Sequence, residues 1–168
     1  MKKKLVIING SGGVGKDTFI DLCDKWVKTY RVSSVDKVKE AAKILGWNGQ
    51  KMENDRKFLS DLKLLSTEYC DHSYEYIKQC VTNFIENEFE SNVMFMHIRE
   101  PREIQKVKEV FDCYTILITN NNVSKISSNM ADDNVENFKY DFVICNDGSL
   151  DDLKQEAIDF LFKILPQD

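Results

Sequence analysis

The sequence predicts a three-layer α/β/α fold, a five-stranded parallel sheet with helices on both faces. Three observations carry that reading. Short apolar runs without alternation, Leu5-Val-Ile-Ile8 and Val93-Met-Phe-Met96, suit strands buried on both faces. Segments with helical spacing separate the strands, as a parallel sheet requires. Four of the seven glycines, Gly10, Gly12, Gly13 and Gly15, crowd into one turn between the first strand and the first helix. A length of 168 residues, 42% hydrophobic and 30% charged, suits one domain with a real core.

The elements follow in order. Residues 4–9 read as the first strand. Lys16 to Thr29 reads as a helix with Phe19, Ile20, Cys23, Trp26 and Val27 on one stripe. Tyr30 to Val35 is a second strand. Asp36 is placed to cap a helix that carries Val38, Ala41, Ala42 and Leu45 and stops at Gly46. Gly46-Trp-Asn-Gly49 is a turn. A long helical region follows, with Phe58, Leu62, Leu65 and Tyr69 as one stripe. After a break near Asp71, Ile77, Val81, Phe84 and Ile85 form another. Asn92 to Ile98 is the third strand, and Pro101 opens a helix to about Phe111. Tyr114 to Ile118 is the fourth strand. Residues 120–137, rich in Asn, Ser and Asp, read as a surface loop. Phe142 to Cys145 is the fifth strand. Ser149 and Asp152 have the spacing of a capping box before a last helix with Leu150, Leu153, Ala157, Ile158, Leu161 and Phe162.

The totals exclude several classes. A net charge of −5 and a pI near 5.2 argue against a partner that is a nucleic-acid polymer, which needs a basic face. No apolar run approaches the roughly 20 residues of a membrane span. Met1-Lys-Lys-Lys4 imitates a signal-peptide start, but the apolar run behind it breaks at Asn9-Gly10, so a cytoplasmic protein is expected. The five cysteines form no C-x-x-C pair and read as buried free thiols. His72 and His97 are the only histidines, lie far apart, and read as structural or exposed.

Gly10-Ser-Gly-Gly-Val-Gly15-Lys16-Asp17-Thr18 nearly fits the Walker A pattern G-x-x-x-x-G-K-[ST], with a buried strand before it and a helix after it. Glycines let backbone N–H groups curl around phosphate oxygens, and the helix N-terminus adds partial positive charge. Gly10, Ser11, Gly12, Gly13, Val14, Gly15, Lys16, Asp17 and Thr18 are therefore the candidate phosphate site. Lys16 is placed to reach the β- and γ-phosphates. Asp17 stands where Ser or Thr usually meets Mg²⁺, so the metal role falls to Asp17 or Thr18. No N-K-x-D motif follows the fourth strand, and the third strand ends in Arg99-Glu100 rather than a Walker B aspartate. Both absences favour a small-molecule kinase over a switch or motor.

Gly15-Lys-Asp-Thr18 resembles the loop of phage-type deoxynucleoside monophosphate kinases and of animal-type phosphomevalonate kinases. Val38-Lys39-Glu40-Ala41 is similar to their Lys-Asp/Glu segment. Arg56-x-x-Leu59-x-x-Leu62 is similar to the arginine-headed helix that faces the acceptor phosphate in such kinases. Asn146-Asp-Gly148 resembles a loop that lies against adenine in several P-loop kinases, dephospho-CoA kinase among them. The resemblance implies a P-loop kinase domain over 1–168, an acceptor-binding helical region at about 36–90 and a lid at about 119–138. It implies ATP and Mg²⁺ as cofactors and a phosphorylated small molecule as partner. A deoxynucleoside monophosphate is the first candidate, with phosphomevalonate-like and dephospho-CoA-like activities as alternatives.

The same reading places Lys16, Arg99 and Asp36 as catalytic candidates. Lys39, Arg56, Lys63, Arg102 and Lys125 are candidates for the acceptor, and Asn146 and Gly148 for adenine. Arg99 and Arg102 flank Pro101 at the C-terminal end of the third strand, the edge where open α/β sheets bind ligands. The alternative for the charged groups is ion pairing or a solvated helix face, and for Asp36 a helix cap. The lid holds one cation, Lys125, against Asp132, Asp133 and Glu136. That balance keeps open a nucleotide-binding sensor or degenerate kinase, with a hydrolytic switch as a third class.

Overall fold

A computed structural model describes residues 3–123, 135 and 138–165. The sheet is built from β1 (Lys4–Asn9), β2 (Thr29–Ser33), β3 (Val93–His97), β4 (Tyr114–Thr119) and β5 (Phe142–Cys145). All four pairings are parallel, in the order β2-β3-β1-β4-β5. The helices are α1 (Lys16–Asp24), α2 (Asp36–Ile44), α3 (Glu53–Cys70), α4 (His72–Asn87), α5 (Pro101–Val110) and α6 (Leu150–Ile164). The expected five-stranded α/β/α architecture is present.

Strand alternation divides the core. Val6, Ile8, Val93 and Phe95 face α1 and α6, where Phe19, Phe95 and Phe160 pack edge to face or tilted. Leu5, Ile7, Met94 and Met96 face the opposite layer, with Ile77, Val81, Phe84 and Ile104. Successive side chains of a strand leave opposite faces, so a strand covered on both sides is apolar throughout.

Several local signals act as expected. Asp71 adopts φ +52° and breaks the long helical region into α3 and α4. Pro101 opens α5. Asp152 N–H donates to Ser149 Oγ at 3.2 Å and Ser149 N–H to Asp152 Oδ2 at 2.8 Å, so aspartate completes the capping box.

Other expectations fail for identifiable reasons. α1 ends at Asp24, because the Asp24 carboxylate accepts from Thr29 N–H (2.8 Å) and Thr29 Oγ1 (2.6 Å) and closes the turn into β2. Trp26 then falls beyond the helix and is 62% exposed. Asp36 is the first residue of α2, not its cap; Val35 holds that place, and the Asp36 carboxylate accepts from Ser33 N–H at 2.7 Å. The apolar stripe of α3 is not core. Leu65 is 64% and Tyr69 88% exposed, and the one buried α3 residue is Lys63. α3 packs on α2 and α4 rather than on the sheet, so no apolar layer awaits that stripe. Leu150 and Phe162 are likewise exposed on α6, where Phe160 takes the core position. All five cysteines are free, with Cys23 and Cys113 buried but Cys70 and Cys145 exposed. No helix of the described residues is long and apolar enough to cross a membrane.

Candidate functional site

β1 is the central strand, and its C-terminal end releases the glycine-rich loop at the sheet edge where open α/β folds bind ligands. Gly10 has φ +142°, and a Cβ there would sit 2.3 Å from the Ile118 carbonyl oxygen, so the loop leaves β1 against the backbone of β4. Gly15, at φ +99°, is the left-handed residue that turns the loop into α1. Lys16 Nζ donates to Gly10 O (2.6 Å) and Ser11 O (2.7 Å), folding the lysine over its own loop.

Two amides brace this loop, Asn9 buried and Asn146 half-buried. Asn9 Oδ1 accepts from Gly10 N–H at 2.8 Å. Its amide nitrogen donates to Arg99 O (3.0 Å) and Tyr140 Oη (2.8 Å), and Tyr140 Oη donates onward to Val135 O at 2.7 Å. Burial pushes the Tyr140 hydroxyl up to about 12, against the lowering effect of Asn9, so it stays a neutral donor. Asn146 Nδ2 donates to Val14 O at 2.9 Å and lies where a Cβ on Gly15 would be, 2.4 Å away. Asn146 therefore braces the loop from the last β–α connection. Asn146→Ala leaves the Val14 carbonyl without this donor. We expect about 1 kcal/mol of lost stability and a reduced rise in melting temperature on adding ATP, both read from thermal unfolding.

A cleft of about 700 Å³ opens beside the loop. Its wall includes Gly12, Gly13, Lys16 and Asp17 from the loop and α1. It includes Asp36 and Lys39 from α2, and Trp47, Lys51, Arg56 and Lys63 from the α2–α3 turn and α3. His97, Arg99 and Glu100 enter from the end of β3. Seven cations and three carboxylates line this space in a chain of net charge −5. A cleft of one dominant sign concentrates an oppositely charged ligand.

The sequence-derived candidates separate here. Lys16, Asp17, Asp36, Lys39, Arg56, Lys63 and Arg99 all meet at the cleft. Arg102 is exposed on α5 and is not on its wall, and Thr18 is exposed outside it. Gly148 packs beside the Asp152 carboxylate at the start of α6. Lys125 and most of the expected lid lie outside the described residues.

Lys63 reaches the wall already paired. Its ammonium contacts Glu100 and, at 3.1 Å, Glu103, within side chains that are 11%, 31% and 8% exposed. Burial pushes Glu103 up to about 7, opposed by Lys63 and assisted by the charge of Glu100. Burial also works to raise Glu100, but Lys63 and its hydrogen bonds leave it below the usual glutamate value. One ammonium between two carboxylates thus keeps Glu100 the more acidic of the pair and leaves Glu103 the easier to protonate.

His97, Trp47 and Lys51 are cleft residues that sequence reading missed. His97 Nε2 lies 3.6 Å from Asp17 Oδ1. Burial pushes the imidazole down to about 4, partly offset by Asp17, so it is neutral at physiological pH. Its position at the end of β3 beside Arg99 was the available signal.

No family model and no curated protein sequence matches the chain. Among solved structures it is similar to TT1252 from Thermus thermophilus, at 17% identity over 99% of this chain and 100% of that one, with a TM-score of 0.57. It is also similar to a sugar kinase from Janibacter sp., at 11% identity over 98% and 96% of the two chains, with a TM-score of 0.51. APS kinase from Mycobacterium tuberculosis aligns at 16% identity over 95% and 97%, with a TM-score of 0.46. The first two likenesses show a shared three-layer α/β fold.

Proposed function

We propose that this chain is an ATP-dependent kinase that transfers the γ-phosphoryl group to a small, already phosphorylated acceptor, with a deoxynucleoside monophosphate as first candidate. The observation that carries the reading is one cleft with a glycine-rich loop and Lys16 on one wall and Lys39, Arg56 and Arg99 on others. Phosphoryl transfer asks a protein mainly to position two anions and offset their charge, and this arrangement supplies both. The triphosphate takes the loop N–H groups and the N-terminus of α1, and Lys16 exchanges its loop carbonyls for phosphate oxygens. Arg99, whose own carbonyl is fixed by Asn9 at 3.0 Å, lies at the sheet edge between donor and acceptor. Lys39 and Arg56, joined by Lys51, hold the acceptor phosphate. Asn146 belongs to the loop's brace on the adenine side.

The Asp17 carboxylate, 83% exposed on the cleft wall, fits a Mg²⁺ that keeps most of its waters and takes one or two carboxylates plus phosphates. Such an ion supplies charge neutralisation of the phosphates. Asp36, held by Ser33 N–H, would hold the ion through water, whereas Thr18 is exposed and off the cleft wall.

The test is ADP release across nucleoside monophosphates, phosphomevalonate and dephospho-CoA. We expect acceptor-stimulated release with one class. No turnover above background with any of them refutes transfer. Tight ATP binding in that case marks a nucleotide-binding sensor.

A further inference from the structure

Trp47 enters the cleft from the turn between α2 and α3, a segment the sequence marks only as punctuation between two glycines. The structure makes it a fixed wall. α2 ends in a Schellman motif: Gly46, at φ +100°, donates its N–H to Lys43 O at 3.1 Å, and Trp47 N–H donates to Ala42 O at 2.9 Å. The Trp47 backbone is thereby tied to the helix. The indole N–H donates to Gln50 O at 2.8 Å, within the same turn. With its one polar atom spent, the half-buried ring has only apolar surface to give the cleft it lines. Lys51 and Arg56 line that cleft with it, and Arg56 Nε donates to Lys51 O at 3.1 Å, which fixes the two relative to each other.

An anchored ring beside cations suits a ligand with a planar ring at one end and an anion at the other. A purely aliphatic phosphate gains nothing from it. Flat heteroaromatic rings stack on indole with useful affinity, with little dependence on ring identity.

We propose that Trp47 is the specificity-determining residue of the acceptor half of the cleft, stacking on a planar heteroaromatic ring of the acceptor while neighbouring cations take its phosphate. In calling the ligand an acceptor, this inference rests on the kinase reading; the stacking itself does not. It excludes aliphatic phosphates such as phosphomevalonate.

The chain has two tryptophans, and Trp26 is 62% exposed at the end of α1, so Trp26→Phe leaves Trp47 as the reporter. This variant is titrated with a purine and a pyrimidine nucleoside monophosphate and with ribose 5-phosphate. A non-hydrolysable ATP analogue is present throughout to fill the loop. The expected result is saturable quenching of indole emission by at least one nucleotide and none by ribose 5-phosphate. By calorimetry, Trp47→Ala binds that nucleotide about tenfold more weakly, Trp47→Phe within about twofold of wild type, and ribose 5-phosphate is unaffected.

Quenching by neither nucleotide, equal quenching by ribose 5-phosphate, or undiminished nucleotide binding by a folded Trp47→Ala overturns the proposal. The fluorescence arm stands even where Trp47→Ala fails to fold. Quenching without ADP release upholds the stacking site and refutes the kinase reading. ADP release with an aliphatic acceptor and no quenching does the reverse.

Discussion

Lys16→Ala is expected to lower turnover about 10²–10³-fold, the usual cost of removing one preorganised donor from developing charge. The fold should survive. Lys16 is half-buried, and its ammonium bonds to loop carbonyls rather than to the core. Those two bonds are worth about 1 kcal/mol each, which sets the scale of the stability loss. ADP release measures the first effect and thermal unfolding the second. Calorimetry decides the meaning: triphosphate binding undiminished in Lys16→Ala contradicts a phosphate site at this loop, whatever happens to turnover.

The largest expected stability effect lies at the other end of the cleft. Lys63→Met leaves Glu100 and Glu103 facing each other without a cation. Removing one partner from a buried ionic cluster costs about 3–5 kcal/mol. The loss depends on pH, and its sign follows from proton counts. In the native protein Glu103 is pushed from the ordinary 4.5 up to about 7. The folded state therefore keeps a proton that the unfolded chain releases across that window, and stability falls as pH rises through it. Glu100 is displaced downward and acts oppositely: its contribution is lost as pH falls through its lowered folded-state value. Lys63→Met removes the downward pull on both, so its stability should fall more steeply from about pH 5 to about pH 8 than that of wild type. Urea unfolding at several pH values reads this out. Adding Glu103→Gln should recover much of the loss at the alkaline end, because the amide carries no charge to bury. A uniform loss at all pH values would show that Lys63 matters for packing alone.

The two halves of the cleft differed in how much the sequence revealed. The glycine-rich loop is a local object. Its strand, glycines and lysine are consecutive, and each has a backbone reason to be where it is, so spacing alone located it. The central strands β1 and β3 were legible because burial on both faces makes them continuously apolar. Lys63 was legible only as a cation, since its partners Glu100 and Glu103 arrive from the β3–α5 turn and α5, far along the chain. The α3 stripe misled because periodicity reports an amphipathic helix and not which face is covered. Trp47 and His97 were hidden for a related reason. A lone aromatic in a turn and a lone histidine after a strand carry no spacing, and only the α2 C-cap and the end of β3 bring them to the cleft. Asn146 was singled out for adenine; in the fold its side-chain amide donates to Val14 O and its backbone N–H to Thr119 O.

The strand order has a consequence for how the protein comes into being. β1 is synthesised first, yet it is the middle strand, and its neighbours β3 and β4 emerge only after the long α2–α4 excursion. The Ile118 carbonyl against which Gly10 is moulded arrives with β4, and the Asn146 amide that braces Gly15 comes later still. A nascent chain therefore carries the complete glycine-rich motif long before it has a phosphate nest. Such non-local pairing slows folding and leaves apolar strands uncovered meanwhile. On the proposed reading, phosphate binding therefore waits for the last β–α connection: a chain stopped before Asn146 has every residue of the loop but not the amide that braces it.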